Sequence, residues 1–247
     1  TPQLRGSVPL DKPQADGSRY ATGYFQMWSA SGLAGVWAEQ NTREAIFDAL
    51  RRKETFATSG PRIRVRFFAG YDLSAELLVD PDVVHKAYAH GVPMGADLAT
   101  RAGAAAPTFF VWALRDPDSA PLQRVQIIKG WIDGGKPQER VFDVACSAGA
   151  VDPATQRCAD NGAEVDLATC AYSTDVGASE LRNVWQDPSF DATQRAFYYV
   201  RVLENPTCRW STWDAIRAGV DPNPALPKTI QERAYTSPIY FIPTKAG

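Results

Sequence analysis

The sequence predicts an α+β chain in which a strand–helix–strand unit is followed by a small antiparallel β-sandwich with a cysteine-rich insertion. Three observations predict it. A capped amphipathic helix lies between two short apolar runs within residues 31–70. From Gly91 onward, short strand-like runs follow one another with turn chemistry and no long helix between them. All four cysteines fall in the second half of the chain. With 247 residues, 45% of them hydrophobic, there is chain enough for one large or two modest globular domains.

In chain order, the first residues are polar and rich in Pro, Gly and Asp, so 1–30 is assigned as a peripheral arm or linker. Leu33 to Ala38 reads as a short buried strand. Asn41 is placed as the cap of the next helix, with Glu44 three residues on reaching back to the cap amide. Ile46, Phe47, Ala49 and Leu50 form its apolar stripe, and Arg51, Arg52 and Lys53 meet the negative end of the helix dipole. Thr55 to Thr58 reads as the next strand, and the order strand, helix, strand fits the closing βαβ unit of a parallel α/β domain. Ile63, Val65 and Phe67 then alternate with Arg62, Arg64 and Arg66, a period-two strand with one apolar and one basic face.

The second half is predicted as a sandwich over residues 71–247. Phe109 to Leu114 is a run buried on both sides, Val125 to Ile128 follows an Asp-Pro-Asp turn, and Val141 to Val144 follows Gly134-Gly135-Lys136-Pro137. Ala196 to Leu203 and Ile239 to Ile242 close the series. The insertion spans about 146–208. Cys146, Cys158, Cys170 and Cys208 are spaced too widely for common zinc or thioredoxin-like motifs and suggest disulfides, with reduced core cysteines as the alternative. The expected pairing is Cys146 with Cys158 and Cys170 with Cys208, one of three that four cysteines allow. Oxidised pairs imply a periplasmic or secreted location.

Composition excludes several functions. The 26 basic and 28 acidic side chains are interspersed, so no field attracts nucleic acid. The longest apolar run, Phe109 to Leu114, is far short of the roughly 20 residues a membrane-spanning helix needs. Two histidines, His85 and His90, leave little for imidazole chemistry. They stand five apart, which misses the spacing of one helix face, and Gly91 reads as the C-cap behind them. No nucleophile elbow, phosphate-binding glycine loop or catalytic triad motif is visible.

Several strings carry a resemblance: Ser31 to Ile46, Arg52 to Ile63, Val92-Pro93-Met94-Gly95, Gln126 to Trp131, Tyr198 to Val202, and Ser237-Pro238-Ile239-Tyr240. The chain resembles the C-terminal part of the domain-of-unknown-function 3604 family, which is similar to carbaryl-hydrolase-like metallohydrolases of the polymerase and histidinol phosphatase (PHP) superfamily. The string from Ala38 to Ile63 is its most specific part. The resemblance implies closing elements of a PHP-like α/β barrel over residues 31–70, then an immunoglobulin-like sandwich. It also implies zinc, manganese or iron held by His-x-His and Asp-x-His motifs, which do not occur in this sequence. The expectation is therefore the C-terminal portion of an exported metal-dependent hydrolase acting on an ester, phosphoester or carbamate-type bond. Its partners would be the N-terminal half of the same protein and a small-molecule substrate, with metal and catalytic residues outside this chain. The alternative is a non-catalytic binding or structural module of the cell envelope.

Within the chain, Thr58, Ser59, Gly60 and Arg62 are candidate substrate contacts, because glycine after small hydroxyls permits close backbone approach and an arginine can hold an anion. A plain turn is the simpler alternative. Glu39, just after the first strand, is a candidate acid or base, or a helix-start solvating residue. Arg62, Arg64 and Arg66 either form a basic groove or pair with acids, and Trp210, Trp213, Tyr198 and Tyr199 either form a sugar platform or belong in part to the core.

Overall fold

The computed structural model describes residue 28 and residues 31–101 and 106–243. The arm expected over 1–30 lies almost wholly outside the described residues. Fourteen strands and three α-helices are found among the described residues, mostly in antiparallel sheets.

The first unit is β1 (Leu33–Val36), α1 (Arg43–Arg51) and β2 (Thr55–Thr58). Thr42, not Asn41, caps α1: its backbone is extended and its side chain accepts a hydrogen bond from the Ala45 amide at 3.3 Å. After α1 the chain turns through Lys53, which holds a positive φ of 60°. The amide of Lys53 donates to the Leu50 carbonyl and that of Glu54 to the Ala49 carbonyl, the paired bonds of a Schellman turn. This turn returns the chain to the end of β1 that it left, and the Trp37 amide donates to the Glu54 carbonyl at 3.1 Å. β1 and β2 therefore pair antiparallel, correcting the parallel βαβ unit expected from element order. Of the predicted helix stripe, Ala49 is buried while Phe47 and Leu50 are exposed.

β3 (Arg64–Gly70) carries the predicted alternation, with Val65 and Phe67 fully buried. A 3-10 turn (Ala75–Leu78) and α2 (Val83–His90) follow. Gly91 caps α2 in extended backbone, where a side chain would meet the Ala69 carbonyl. Then come β4 (Val92–Pro93), β5 (Asp97–Ala99), β6 (Thr108–Leu114), β7 (Leu122–Asp133) and β8 (Lys136–Cys146). Between β7 and β8, Gly134 and Gly135 both have positive φ, as a tight two-residue hairpin requires. β9 (Glu180–Gln186), β10 (Ala196–Glu204), β11 (Thr207–Cys208), α3 (Trp210–Ala218), β12 (Thr229–Ile230), β13 (Arg233–Thr236) and β14 (Ile239–Ile242) complete the order.

Two sheets form a β-sandwich. The smaller runs β4-β3-β6-β9. In the larger, β10 pairs with β7 along one edge, and β7 with β8; its other edge is shared by β13 and β14. β13 continues to β2 and β1, and β14 to β5. The core between the sheets joins Val65, Phe67, Phe109 and Val111 of one to Ile127, Phe142, Val200 and Phe241 of the other. Phe68 and Phe110 point to the far side of the smaller sheet, where Leu73, Leu77, Val83 and Ala87 cover them. This second layer explains the unbroken apolar run of β6.

The insertion is stapled as expected, Cys146 to Cys158 and Cys170 to Cys208. It is also held by Asp143, almost fully buried on β8, which accepts hydrogen bonds from Gln126, from Arg124 and from the Cys158 amide at 2.6, 3.1 and 2.8 Å. Between the sheets, Lys129 and Asp187 form a buried ion pair at 2.6 Å, and the Tyr198 hydroxyl donates to the same carboxylate at 2.8 Å. Burial pushes the Asp187 carboxyl up, but the Lys129 and Ser189 hydrogen bonds outweigh it and hold it below its ordinary value.

Candidate functional site

The predicted site residues fall in two places, at opposite ends of β2. Glu39 opens on a cleft of about 540 Å³ lined also by Trp37, Arg52, Glu54, Arg66, Tyr88 and Pro93. Local structure sets each of these side chains. Trp37 leaves β1 with its indole N–H donating to the Val65 carbonyl at 2.8 Å, which fixes the ring beside β3. Arg66 stands on the basic face of β3 and lays its guanidinium over that ring, 3.7 Å from the centroid. The Schellman turn ending α1 delivers Glu54 into the interior, where it is 3% exposed. There it accepts a hydrogen bond from the Tyr88 hydroxyl of α2 and lies 3.7 Å from the Arg52 guanidinium.

The electrostatics assign roles. Burial, and then the neighbouring Glu54 carboxylate, push the Tyr88 phenol up to about 12, so it stays protonated and serves as a donor. Arg66 also donates to the Tyr88 oxygen at 3.4 Å. Glu54 is occupied by Tyr88 and Arg52. Glu39 is exposed at the cleft mouth. The site thus offers an aromatic face clamped by a guanidinium, a second guanidinium, and a carboxylate at the entrance, a set suited to holding a small planar or anionic group.

The other predicted residues stand elsewhere. Thr58 is buried in β2, and its hydroxyl accepts from the Gly60 amide at 3.3 Å. Ser59 donates to Glu232 and accepts from the Arg233 amide at 2.8 Å. Arg62 pairs with Asp116 at 3.3 Å and Asp118 at 2.7 Å. Burial raises Asp116, but the amides of Arg62 and Asp118 and the Arg62 side chain bring it below its ordinary value. Among the basic ladder, then, Arg62 is paired with acids, Arg66 with an indole, and Arg64 is exposed. Close by, Glu204 is fully buried, accepts from Ser119 at 2.6 Å through one oxygen, and among the described residues has no partner at the other. Burial, reinforced by Glu232 and Asp116, raises its carboxyl to about 7 against the Ser119 hydrogen bond.

The proposed aromatic platform is not one surface. Tyr198 is wholly buried, Tyr199 half-buried on the opposite sheet face, and Trp210 and Trp213 lie on α3, with the Trp210 indole donating to the Trp28 carbonyl. His85 pairs with Asp82 at 3.3 Å. Among the described residues no group of three or more His, Cys, Asp or Glu is placed to hold a metal ion. Nor is any helix among them long and apolar enough to cross a membrane.

The sequence reading missed Trp37, Arg52, Glu54, Arg66 as an indole partner, and Tyr88. Glu54 carried a local signal, since it follows the basic end of a capped helix. Tyr88 carried none, because it meets Glu54 from 34 positions away through tertiary packing.

Residues 4–243 match a family model described as "Protein of unknown function (DUF3604)". No curated protein and no solved structure matches the chain.

Proposed function

The chain belongs to the DUF3604 family, and on that premise we propose that it is the C-terminal, substrate-facing portion of an exported metal-dependent hydrolase of the PHP-like kind, acting on an ester, phosphoester or carbamate-type bond. One observation carries the reading. The string on which the resemblance is most specific, Ala38 to Ile63, is the one that supplies Ala38, Glu39, Arg52 and Glu54 to the cleft. Two further observations support it. The exposed Phe47 and Leu50 lie on one face of α1, where an amphipathic helix would pack against another portion of the protein. The two disulfides suit a periplasmic or secreted location.

Among the described residues, no group of His, Cys, Asp or Glu is placed to hold a divalent metal. When bound elsewhere in the protein, such a metal would activate water. This chain would bind and orient: Arg66 and Arg52 hold an anionic or carbonyl group, Trp37 packs its planar part, and Glu54, accepting from the protonated Tyr88 at one oxygen, positions Arg52 with the other. Glu39 accepts a hydrogen bond at the entrance.

The test assays p-nitrophenyl acetate, bis(p-nitrophenyl) phosphate and an aryl methylcarbamate with added zinc or manganese. The chain alone is expected to be silent, and the chain joined to its N-terminal half active. Arg66→Ala in the joined protein should raise KM roughly tenfold or more, the worth of a charge-assisted hydrogen bond, with a smaller change in kcat. Turnover by the isolated chain would overturn the reading.

A further inference from the structure

The larger sheet has an outer surface that the cleft does not use. Alternation along β10 sends Tyr198, Val200 and Val202 into the core and Phe197 and Tyr199 outward. The rings of Phe197 and Tyr199 lie 16° from parallel with centroids 6.4 Å apart, and Tyr240 of β14 stands 6.2 Å from Phe197. Directly across the ladder from Phe197 is Gly130 of β7. A Cβ there would lie 2.2 Å from the Phe197 ring, so the ring occupies the space that a side chain would take and rests on the sheet. Phe197 remains 38% exposed.

Phe197 and Tyr240 border a cleft of about 750 Å³ whose rim is polar: Gln138, Glu139, Gln194 and Arg195. Among the described residues, no hydrogen bond or ion pair engages those four side chains. Unengaged donors and acceptors around exposed ring faces are the two halves of one kind of recognition. A pyranose presents a face of C–H groups to an aromatic ring and a perimeter of hydroxyls, each both donor and acceptor, to planar amide, carboxylate and guanidinium groups. A hydrocarbon tail would leave the four polar groups unmatched. A polyanion would meet Glu139 as well as Arg195.

We propose that this face is a carbohydrate-binding site, with neutral pyranose rings stacked on Phe197 and Tyr240 and their hydroxyls held by Gln138, Glu139, Gln194 and Arg195. It is separate from the cleft at Glu39 and does not depend on hydrolase activity.

The experiment is affinity electrophoresis of the full chain through gels carrying a soluble β-glucan, a xylan, a galactomannan or dextran, followed by calorimetric titration of the matching hexasaccharide. Retardation on at least one polysaccharide is expected. Phe197→Ala and Tyr240→Ala should weaken binding tenfold or more, and the surface variant Gln194→Ala severalfold with an unchanged thermal melt. Free migration on all four gels overturns the proposal, as does retardation that Phe197→Ala and Gln194→Ala both leave intact. So does sedimentation showing a dimer that Phe197→Ala dissociates, which would give the face to a second copy of this chain.

Discussion

The two sheets of the sandwich share a core but differ on their outer faces. The smaller sheet is covered again: α2 and the 3-10 turn bury Phe68 and Phe110 as completely as the inter-sheet core buries Phe67 and Phe109. Among the described residues, the larger sheet is covered where the disulfide-stapled insertion crosses it, sealing Asp143 and Gln126, and it is open where Phe197 and Tyr240 line a cleft. The same kind of side chain is therefore structural on one sheet and available on the other. What covers the outer face decides, not the residue type.

The largest expected effect tests the double cover. Phe110→Ala should cost about 3–5 kcal/mol in urea unfolding, the usual loss for a buried aromatic ring. A loss below about 1 kcal/mol would mean that α2 does not close over the smaller sheet.

A second prediction concerns the covered end of β10. There Asn205 donates to the Val176 carbonyl and accepts from Asn161, closing the insertion over the strand end next to Glu204. The Glu204 carboxyl is raised from 4.5 to about 7 by burial first. Between those values the unfolded chain releases a proton that the folded protein keeps, so stability falls as pH rises from 4.5 to 7 and is level above. The swing is roughly 3 kcal/mol. Glu204→Gln should abolish it, read from urea midpoints at pH 5 and pH 8. An unchanged slope would locate the titration elsewhere.

Removing one staple, with Cys146→Ala and Cys158→Ala together, should cost about 2–3 kcal/mol, since the bridge closes a short loop. It should also speed hydrogen exchange of the β8 amides near Asp143 while leaving β6 unaffected. The smallest effect belongs to the bare face: Phe197→Ala should cost about 1 kcal/mol or less, because its ring is already partly in water. A cost matching that of Phe110→Ala would erase the difference between the sheets.

Strands and staples were legible in the sequence because their signals are local. Alternation around Val65 and Phe67, the unbroken β6 run and the cysteine spacing each predict a feature found as expected. Strand direction was not legible. Element order is the same whether the chain returns to the near or the far end of β1, and the Schellman turn at Lys53 returns it to the near end. The candidate site was half legible. Glu39 could be singled out from its place after a strand, but Arg66, Glu54 and Tyr88 converge on it from β3, the turn after α1, and α2. At Thr58 to Arg62 the sequence shows glycine and hydroxyls but not their partners, and the structure places Ser59 and Arg62 against their own chain's acids.

The hairpin at Gly134 and Gly135 has a practical use. No described residue lies within 4 Å of where a side chain would begin on either glycine, and the strands it joins supply Ile132, Pro137 and Gln138 to the cleft beside Phe197. A short cysteine-bearing insertion between the two glycines could carry an environment-sensitive dye a few residues from that cleft. Occupancy of the bare face would then be read as a change in light emission, without altering any residue of the cleft itself.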